Sequence, residues 1–226
     1  MNKEVLHENV YYYKNVIEDP EKLINLIELT DFKDYGKSIT KWTDWNTCSG
    51  LEYTYGTEKR IYLSEEEKQN FDMSNEISYI FHTINNAVYN VYKDYAESKN
   101  DLEDPNYYQV FDVKKYKPGT YMGGHFDQQE GDSRLKYSLV MYLNDDYDGG
   151  EISFKISGGD NPLDSSKGEF VPDYDIAKEK GIFDFAIKPE AGSVVIFPSS
   201  PPYHHTAHLV KNGFKYMIPS HWMHKQ

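Results

Sequence analysis

Residues 116–127 read YKPGTYMGGHFD and decide the fold prediction, because a β-prone segment leads there into a closely spaced histidine and carboxylate. Side chains at positions i and i+2 of a β-strand lie on the same face. His125 and Asp127 can therefore face one ion while Phe126 points away. A third ligand from far along the chain is expected if neighbouring strands of a barrel bring distant segments together. The spacing predicts a metal site in a β-barrel.

Three histidines, His204, His205 and His208, compete for the third ligand position. Adjacent residues of a strand point to opposite faces, so only some of them can face the metal. Two imidazoles and one carboxylate, with coordination positions left open, suit a non-heme Fe(II) oxygenase. Lys215 can lie on the next strand, where its ammonium group would bind the distal carboxylate of a dicarboxylic cosubstrate as a point charge.

From residue 107 onward, short β-prone runs alternate with Gly, Pro, Asn and Asp, a pattern typical of an antiparallel barrel or sandwich. Residues 144–150 are predicted to form a hairpin turn, and residues 188–192 a further connection. Ile152, Phe154 and Ile156 alternate with polar residues, which predicts one buried face. The predicted strands are 109–116, 138–143, 151–156, 193–197 and 213–219.

The N-terminal part is predicted to support this barrel. Residues 9–16 predict a strand, and Asp19-Pro20-Glu21 predicts the start of a helix. Residues 74–97 predict a second helix whose apolar stripe packs against the barrel. Residues 41–61 have no clear period and give no prediction. Residues 157–181 form a long, acidic connection, either a lid over the site or a surface insertion.

Composition limits the class of protein and its partners. The 226 residues include 38% hydrophobic and 15% aromatic residues, which suffices for one globular core. A net charge of −13 disfavours nucleic acid as a partner. The absence of a long apolar run or a secretory signal predicts a cytoplasmic protein without a membrane span. The single cysteine, Cys48, excludes an intrachain disulfide. The sequence gives no prediction of oligomeric state.

The ordered motifs resemble those of the 2-oxoglutarate and Fe(II)-dependent dioxygenases, most closely the prolyl 4-hydroxylase-like branch, over residues 107–222. The resemblance implies an α+β, mainly β fold, a double-stranded β-helix (a jelly-roll or cupin-like barrel) with supporting N-terminal helices. It implies one oxygenase domain, 1–226, with 1–106 as the support and 107–226 as the barrel core. The motifs that carry it are Tyr116-Lys117-Pro118-Gly119, His125-Phe126-Asp127, Tyr142-Leu143-Asn144, Gly149-Gly150-Glu151, His205 and Gly213-Phe214-Lys215.

The same resemblance selects His205 as the third ligand. In the family the distal histidine precedes a valine, a glycine and a basic anchor at fixed spacings, which His205 matches through Val210, Gly213 and Lys215. His204 would be out of register by one residue, which reverses its face. The remaining histidines are predicted to be polar surface or ring packing; they are His204, His208, His221 and His224.

The resemblance also implies the roles of the site residues. His125, Asp127 and His205 would bind Fe(II), and Lys215 would bind the distal carboxylate of 2-oxoglutarate. Tyr116 would assist in that pocket. Ser138 points towards the same pocket by alignment. The chain departs from the family pattern at three positions outside the ligand set, which are Met122, Ile152 and Leu209.

The implied reaction is hydroxylation of an aliphatic C–H bond, with oxidative decarboxylation of 2-oxoglutarate to succinate and CO2. A prolyl residue in a peptide or protein is the first expected substrate, and a free amino acid such as proline the second. Fe(II), 2-oxoglutarate and O2 are the implied cofactors, with ascorbate as a supporting reductant. Two other classes stay open: a zinc-type metal hydrolase, since the same ligands bind zinc, and a non-catalytic β-barrel binding module. Related halogenases lack the carboxylate ligand, so Asp127 favours hydroxylation.

Overall fold

The computed structural model describes residues 1–30, 38–49, 52–69, 75–128, 134–158 and 171–224. Strands dominate these residues. They are β1 (Asn2–His7), β2 (Val10–Lys14), β3 (Thr43–Ser49), β4 (Glu52–Tyr62), β5 (Val110–Tyr116), β6 (Met122–His125), β7 (Leu135–Tyr142), β8 (Asp148–Gly149), β9 (Ile152–Lys155), β10 (Phe185–Ile187), β11 (Ser193–Pro198), β12 (His204–Ala207), β13 (Val210–Asn212) and β14 (Lys215–Met223). The helices are α1 (Pro20–Leu29), α2 (Glu65–Gln69), α3 (Glu76–Ser98) and α4 (Tyr174–Glu179).

Two antiparallel sheets form the barrel. The large sheet has the order β1-β2-β11-β7-β14-β5-β4-β3, and the small sheet has the order β10-β9-β12-β6. A short third pair, β13 and β8, lies beside them. This α+β, mainly β architecture is a double-stranded β-helix, which confirms the predicted fold class.

The large sheet is covered on both faces, because successive side chains of its central strands point to opposite sides. Leu139 and Met141 of β7 belong to the core shared with α1 and α3. Val140 and Tyr142, the alternate residues, belong to a second core inside the barrel. A site inside the barrel is therefore separated from the helices by the large sheet.

The N-terminal helices form as their sequence signals predict. Asp19 caps α1, its side chain accepting a 2.9 Å hydrogen bond from the Lys22 amide, and Pro20 occupies the first turn, where a missing amide hydrogen has no cost. The α3 stripe that includes Ile80, Ile84 and Val88 is fully buried against the sheet. The prediction that this stripe is core packing is confirmed.

The predicted hairpin at residues 144–150 is wrong. The strand before it pairs with β11 and β14, whereas the strand after it pairs with β10 and β12, so this segment crosses between the sheets. A Cβ atom on Gly149 would lie 2.2 Å from the Leu209 carbonyl oxygen. The glycines thus permit a close approach of two backbones, a requirement that gives the same sequence signal as a tight turn.

Three further segments differ from the prediction or extend it. Residues 41–61, which gave no prediction, contribute β3 and most of β4 and so widen the large sheet. Strand β9 has no exposed polar face at its centre, because Ser153 is as fully buried as Phe154. The long connection 157–181, predicted as a lid or a surface insertion, falls partly outside the described residues, and α4 lies in its C-terminal part.

None of the helices in the described residues is long and apolar enough to cross a membrane.

Candidate active site

The small sheet brings the two histidines of the predicted metal site side by side. His125 ends β6 and His205 lies in β12, and these two residues are direct cross-strand partners. Asp127 follows just beyond the end of β6. One ligand atom from each of the three residues lies within 4.8 Å of the others. The structure therefore gathers His125, Asp127 and His205 into one group that can hold a metal ion.

Backbone hydrogen bonds orient both imidazole rings. His125 Nδ1 lies 2.7 Å from the Gly123 carbonyl oxygen, and His205 Nδ1 lies 3.3 Å from that of Tyr203. A carbonyl can only accept, so these bonds assign the proton to Nδ1 and leave the Nε2 lone pairs for a metal. The two Nε2 atoms lie 3.4 and 3.6 Å from the oxygens of Asp127.

The charges around the group suit metal binding. Burial alone would raise the pKa of Asp127, but the imidazoles of His205, His125 and His221 hold it well below its usual value. Burial, together with repulsion from His125, lowers the pKa of His205 to about 3. At neutral pH the carboxylate is therefore ionised and His205 is neutral, which are the protonation states that a metal ligand requires.

The predicted anchor lies at the other end of the barrel interior. Lys215 begins β14, opposite Tyr116 of β5, and its side chain is fully buried. Its Nζ donates a 2.7 Å hydrogen bond to the Gly150 carbonyl oxygen. The rings of Tyr116, Tyr142 and Tyr147 lie 5.4, 5.1 and 5.9 Å from Nζ.

This buried cation forms no ion pair in the described part of the chain, although the carboxylate of Glu151 attracts it from a greater distance. Burial lowers the pKa of Lys215 to about 7, and the charge of Lys188 acts in the same direction. The hydroxyl oxygens of Tyr116 and Tyr147 are also buried and have no hydrogen-bond partner among the described residues. An ammonium group beside two unpaired phenol groups suits a carboxylate ligand, which would neutralise the first and accept hydrogen bonds from the others.

One cavity of about 150 Å³ is lined by the metal group and by Tyr116 and Tyr142, whose rings lie beside Lys215; Lys215 itself is behind this wall. Its lining is mainly apolar, so water is displaced easily and charges inside it interact strongly. Ser138 is not part of the lining, and its hydroxyl shares a 2.7 Å hydrogen bond with that of Ser199. The lining includes Trp45, Lys114, Tyr116, Met122, His125, Asp127, Tyr142, Ile152, His205, Met217, Pro219 and His221.

The sequence model of the 2OG-Fe(II) oxygenase superfamily matches residues 111–224. This chain belongs to that superfamily. Membership implies Fe(II), 2-oxoglutarate and O2 as the cofactors of this oxygenase. The matched segment contains all three members of the metal group as well as Lys215.

Solved structures with similar folds include prolyl hydroxylases, all at low sequence identity to this oxygenase. A prolyl hydroxylase from Trichoplax adhaerens, in complex with a hypoxia inducible factor oxygen degradation domain peptide fragment, has a TM-score of 0.59 at 10% identity, over 95% of this chain and 83% of that one. A Pseudomonas putida prolyl-4-hydroxylase has a TM-score of 0.56 at 14% identity, over 96% of this chain and 94% of that one. The viral collagen prolyl hydroxylase of Paramecium Bursaria Chlorella virus-1, as its 2OG complex, has a TM-score of 0.53 at 15% identity, over 97% of this chain and 97% of that one. These likenesses show the fold alone. No curated protein is significantly similar in sequence to the oxygenase.

Some residues of the site were missed by the sequence prediction. His221, predicted to be surface or ring packing, lines the cavity of the oxygenase, and its Nε2 lies 3.6 Å from Asp127 Oδ2. Trp45 and Lys114 form another part of the wall, with Lys114 Nζ 4.3 Å above the Trp45 ring. The two-residue period of a strand could have predicted the position of His221, because residues 215, 217, 219 and 221 share one face of β14.

His208 has a structural role in the oxygenase, as the sequence predicted for a histidine outside the ligand set. Its ring is fully buried, with Nε2 2.7 Å from Ser153 Oγ and Nδ1 3.2 Å from the Pro172 carbonyl oxygen. Neither nitrogen is available to a metal. His208 thus ties the segment before α4 to β9.

We expect His208→Ala to lower the free energy of unfolding by about 2–4 kcal/mol, because it opens a cavity, leaves the Ser153 hydroxyl without the His208 partner and removes one of the two donors to the Pro172 carbonyl, which keeps the Leu209 amide. Urea unfolding of the metal-free protein measures the loss. His224→Ala, at an exposed position, is the control and should unfold like the unmodified protein. A fully stable His208→Ala protein that no longer bound metal would contradict the structural role.

Proposed function

We propose that this oxygenase hydroxylates an aliphatic C–H bond of a prolyl residue in a peptide or protein, with oxidative decarboxylation of 2-oxoglutarate to succinate and CO2. The observation that carries the proposal is an apolar cavity that the metal-ligand group lines together with Tyr116 and Tyr142, the tyrosines whose rings lie against the buried ammonium group of Lys215. This arrangement suits a ligand that chelates a metal through one end and carries a carboxylate at the other. The metal hydrolase alternative leaves Lys215 without a role.

In the proposed site, His125, Asp127 and His205 hold Fe(II) from one side and leave its other positions open. Bound Fe(II) supplies the redox chemistry that couples O2 and the keto acid to substrate oxidation. Lys215 fixes the distal carboxylate of 2-oxoglutarate, and the Tyr116 hydroxyl donates to the same group. The carboxylate of Asp127 would supply the ligand that related halogenases lack, which favours hydroxylation over halogenation. The apolar lining excludes water from the reacting groups.

The peptide substrate is proposed from two kinds of support. The solved structure from Trichoplax adhaerens is of a prolyl hydroxylase in complex with a peptide fragment. The net charge of −13 makes a polyanionic substrate unfavourable. We also propose that residues 1–226 form one oxygenase domain, since β1 to β4 lie in the same sheet as the barrel strands. Ascorbate would maintain the metal in its reduced form.

Anaerobic titration with Fe(II) and then 2-oxoglutarate tests the proposal. A visible charge-transfer band is expected when the keto acid chelates the metal. Aerobic reactions with ascorbate, with proline-containing peptides and with free proline in separate arms, should then yield succinate and a product heavier by one oxygen atom. A folded, metal-loaded protein that gives no charge-transfer band and no succinate would contradict the proposal. Turnover of free proline alone would move the assignment to a free amino acid.

We expect 2-oxoglutarate to bind more weakly as the pH rises above about 7. Burial places the pKa of Lys215 at about 7 in the ligand-free protein, so the ammonium group that binds the carboxylate is lost above that pH. The apparent Kd should be nearly constant below pH 7 and rise by up to about ten-fold per pH unit above it. Band titrations at saturating metal measure this Kd. In Lys215→Arg the guanidinium stays charged, so its profile should be flat between about pH 7 and about pH 9.

A further inference from the structure

His221 reaches the metal group from the opposite wall of the barrel. His125 and His205 belong to strands of the small sheet, whereas His221 lies in β14 of the large sheet. It occupies the same face of that strand as Lys215, because the two positions are separated by an even number of residues. One strand therefore carries the anion anchor at its start and an imidazole beside the metal group near its end.

The contact of His221 is with the carboxylate ligand. Its Nε2 lies 3.6 Å from Asp127 Oδ2, the same distance that separates His205 Nε2 from that oxygen. The other carboxylate oxygen, Oδ1, lies 3.4 Å from His125 Nε2. In the described residues, the group whose ligand atoms lie within 4.8 Å of one another is His125, Asp127 and His205, without His221. His221 thus contacts a ligand of the group and is not one of its members.

We propose that His221 is a positioning residue whose Nε2–H donates a hydrogen bond to Asp127 Oδ2 and so leaves Oδ1 to bind the metal. This inference rests on the proposed function, since it requires the metal site. Hydrogen bonds at a catalytic site are often long in the ligand-free protein and tighten when the site is occupied, and the 3.6 Å separation is a contact of this kind.

The consequence concerns the number of free metal positions. A carboxylate can bind a metal through one oxygen or through both. A keto acid that chelates through two atoms, followed by O2, needs three positions free opposite a three-residue group in octahedral geometry. If Asp127 bound through both oxygens, one of these positions would be lost. A hydrogen bond from His221 to Oδ2 keeps that oxygen away from the metal and keeps the position open.

The test compares three single variants with the unmodified protein. His221→Phe keeps a ring of similar size without a donor, His221→Gln keeps an N–H donor, and His224→Phe replaces an exposed histidine just after the same strand. Anaerobic competition with a chelator measures Fe(II) affinity, and addition of 2-oxoglutarate then measures the charge-transfer band. Thermal unfolding of the metal-free proteins verifies that each variant is folded.

We expect His221→Phe to bind Fe(II) roughly 10–100-fold more weakly, the range typical of groups that orient a metal ligand. Its band with 2-oxoglutarate should also be shifted or weakened at saturating metal, which a purely structural role would not cause. His221→Gln should restore most of the affinity and the band, and His224→Phe should match the unmodified protein.

Two results would overturn the positioning role while leaving the proposed function in place. One is unchanged affinity and an unchanged band in a folded His221→Phe protein. The other is complete loss of metal binding, equal to that of His205→Ala, which would make His221 a ligand. Failure of the unmodified protein to bind any Fe(II) is a separate result that would overturn the proposed function and this inference together.

Discussion

The His205→Ala variant is expected to lose the charge-transfer band that Fe(II) and 2-oxoglutarate form in the unmodified oxygenase, together with succinate formation. His205 supplies one of the two imidazoles in the metal group. Its Nδ1–H donates to the Tyr203 carbonyl oxygen, which directs the Nε2 lone pair towards the other ligands. Loss of a ligand must exceed the roughly 10–100-fold effect of a group behind a ligand, so turnover should fall by at least about a thousand-fold. Anaerobic titration and succinate assays measure the two losses.

His204→Ala is the matched control for His205→Ala. The two histidines are neighbours in β12, so they point to opposite faces. His204 is also buried, with its ring edge-on to Phe126 at 4.8 Å. Removing it should cost stability but leave the band and the metal affinity of the folded protein intact. If His204→Ala lost the band and His205→Ala kept it, the third metal ligand would be His204 and not His205.

The sequence predicted that His125 and Asp127 lie together because a local rule specifies it. An i, i+2 spacing determines that His125 and Asp127 share a side, and strand pairing then needs only one distant partner. His205 and Lys215 were selected through the resemblance to a family, since the spacing alone left three histidines open for the third ligand. Only the pairing of His125 with Asp127 follows from sequence neighbours.

The missed residues depend on contacts between distant segments. His221 faces Asp127 only because β14 and β6 lie in opposite sheets, and no local pattern gives the distance between sheets. Residues 41–61 lack a clear hydrophobic period in part because a lysine, Lys59, takes a fully buried position of β4 beside Ile61, and β4 is held in the sheet by its pairing with β5. Gly149 and Gly150 have positive φ in a crossing segment, and the sequence signal for that is shared with a hairpin turn.

The second large effect is expected at Lys215, behind the tyrosine wall of the cavity. Lys215→Met should nearly abolish 2-oxoglutarate binding, because it removes one partner of a buried charge pair. Such a loss costs about 3–5 kcal/mol, or roughly a hundred-fold to several-thousand-fold in Kd. Metal affinity in the absence of 2-oxoglutarate should be unchanged, because Lys215 lies at the start of β14 and is not a member of the metal group. Band titration and chelator competition measure the two affinities separately.

Stability should move in the opposite direction from binding in this variant. Methionine is close to lysine in length, and replacement of a buried charge by an apolar side chain of similar volume is often neutral or stabilising. The metal-free Lys215→Met protein should therefore melt at the same temperature as the unmodified protein or higher. Lys188→Met is the matched control, because Lys188 Nζ donates a 2.6 Å hydrogen bond to the Tyr147 carbonyl oxygen and lies 3.8 Å from the centre of that tyrosine's ring. It should affect 2-oxoglutarate binding far less than Lys215→Met.

The combination of lost binding and retained stability is what distinguishes an anion anchor from a structural lysine. A structural lysine would be needed for the fold, so its removal would lower the melting temperature first and weaken binding only as a consequence. An anchor is instead held in the ligand-free protein at a cost, seen here in the pKa of Lys215, which burial lowers to about 7 despite the attraction of Glu151. If Lys215→Met bound 2-oxoglutarate as tightly as the unmodified protein, the distal carboxylate would have to lie elsewhere, and Lys114, the cation in the cavity wall, would be the next residue to replace.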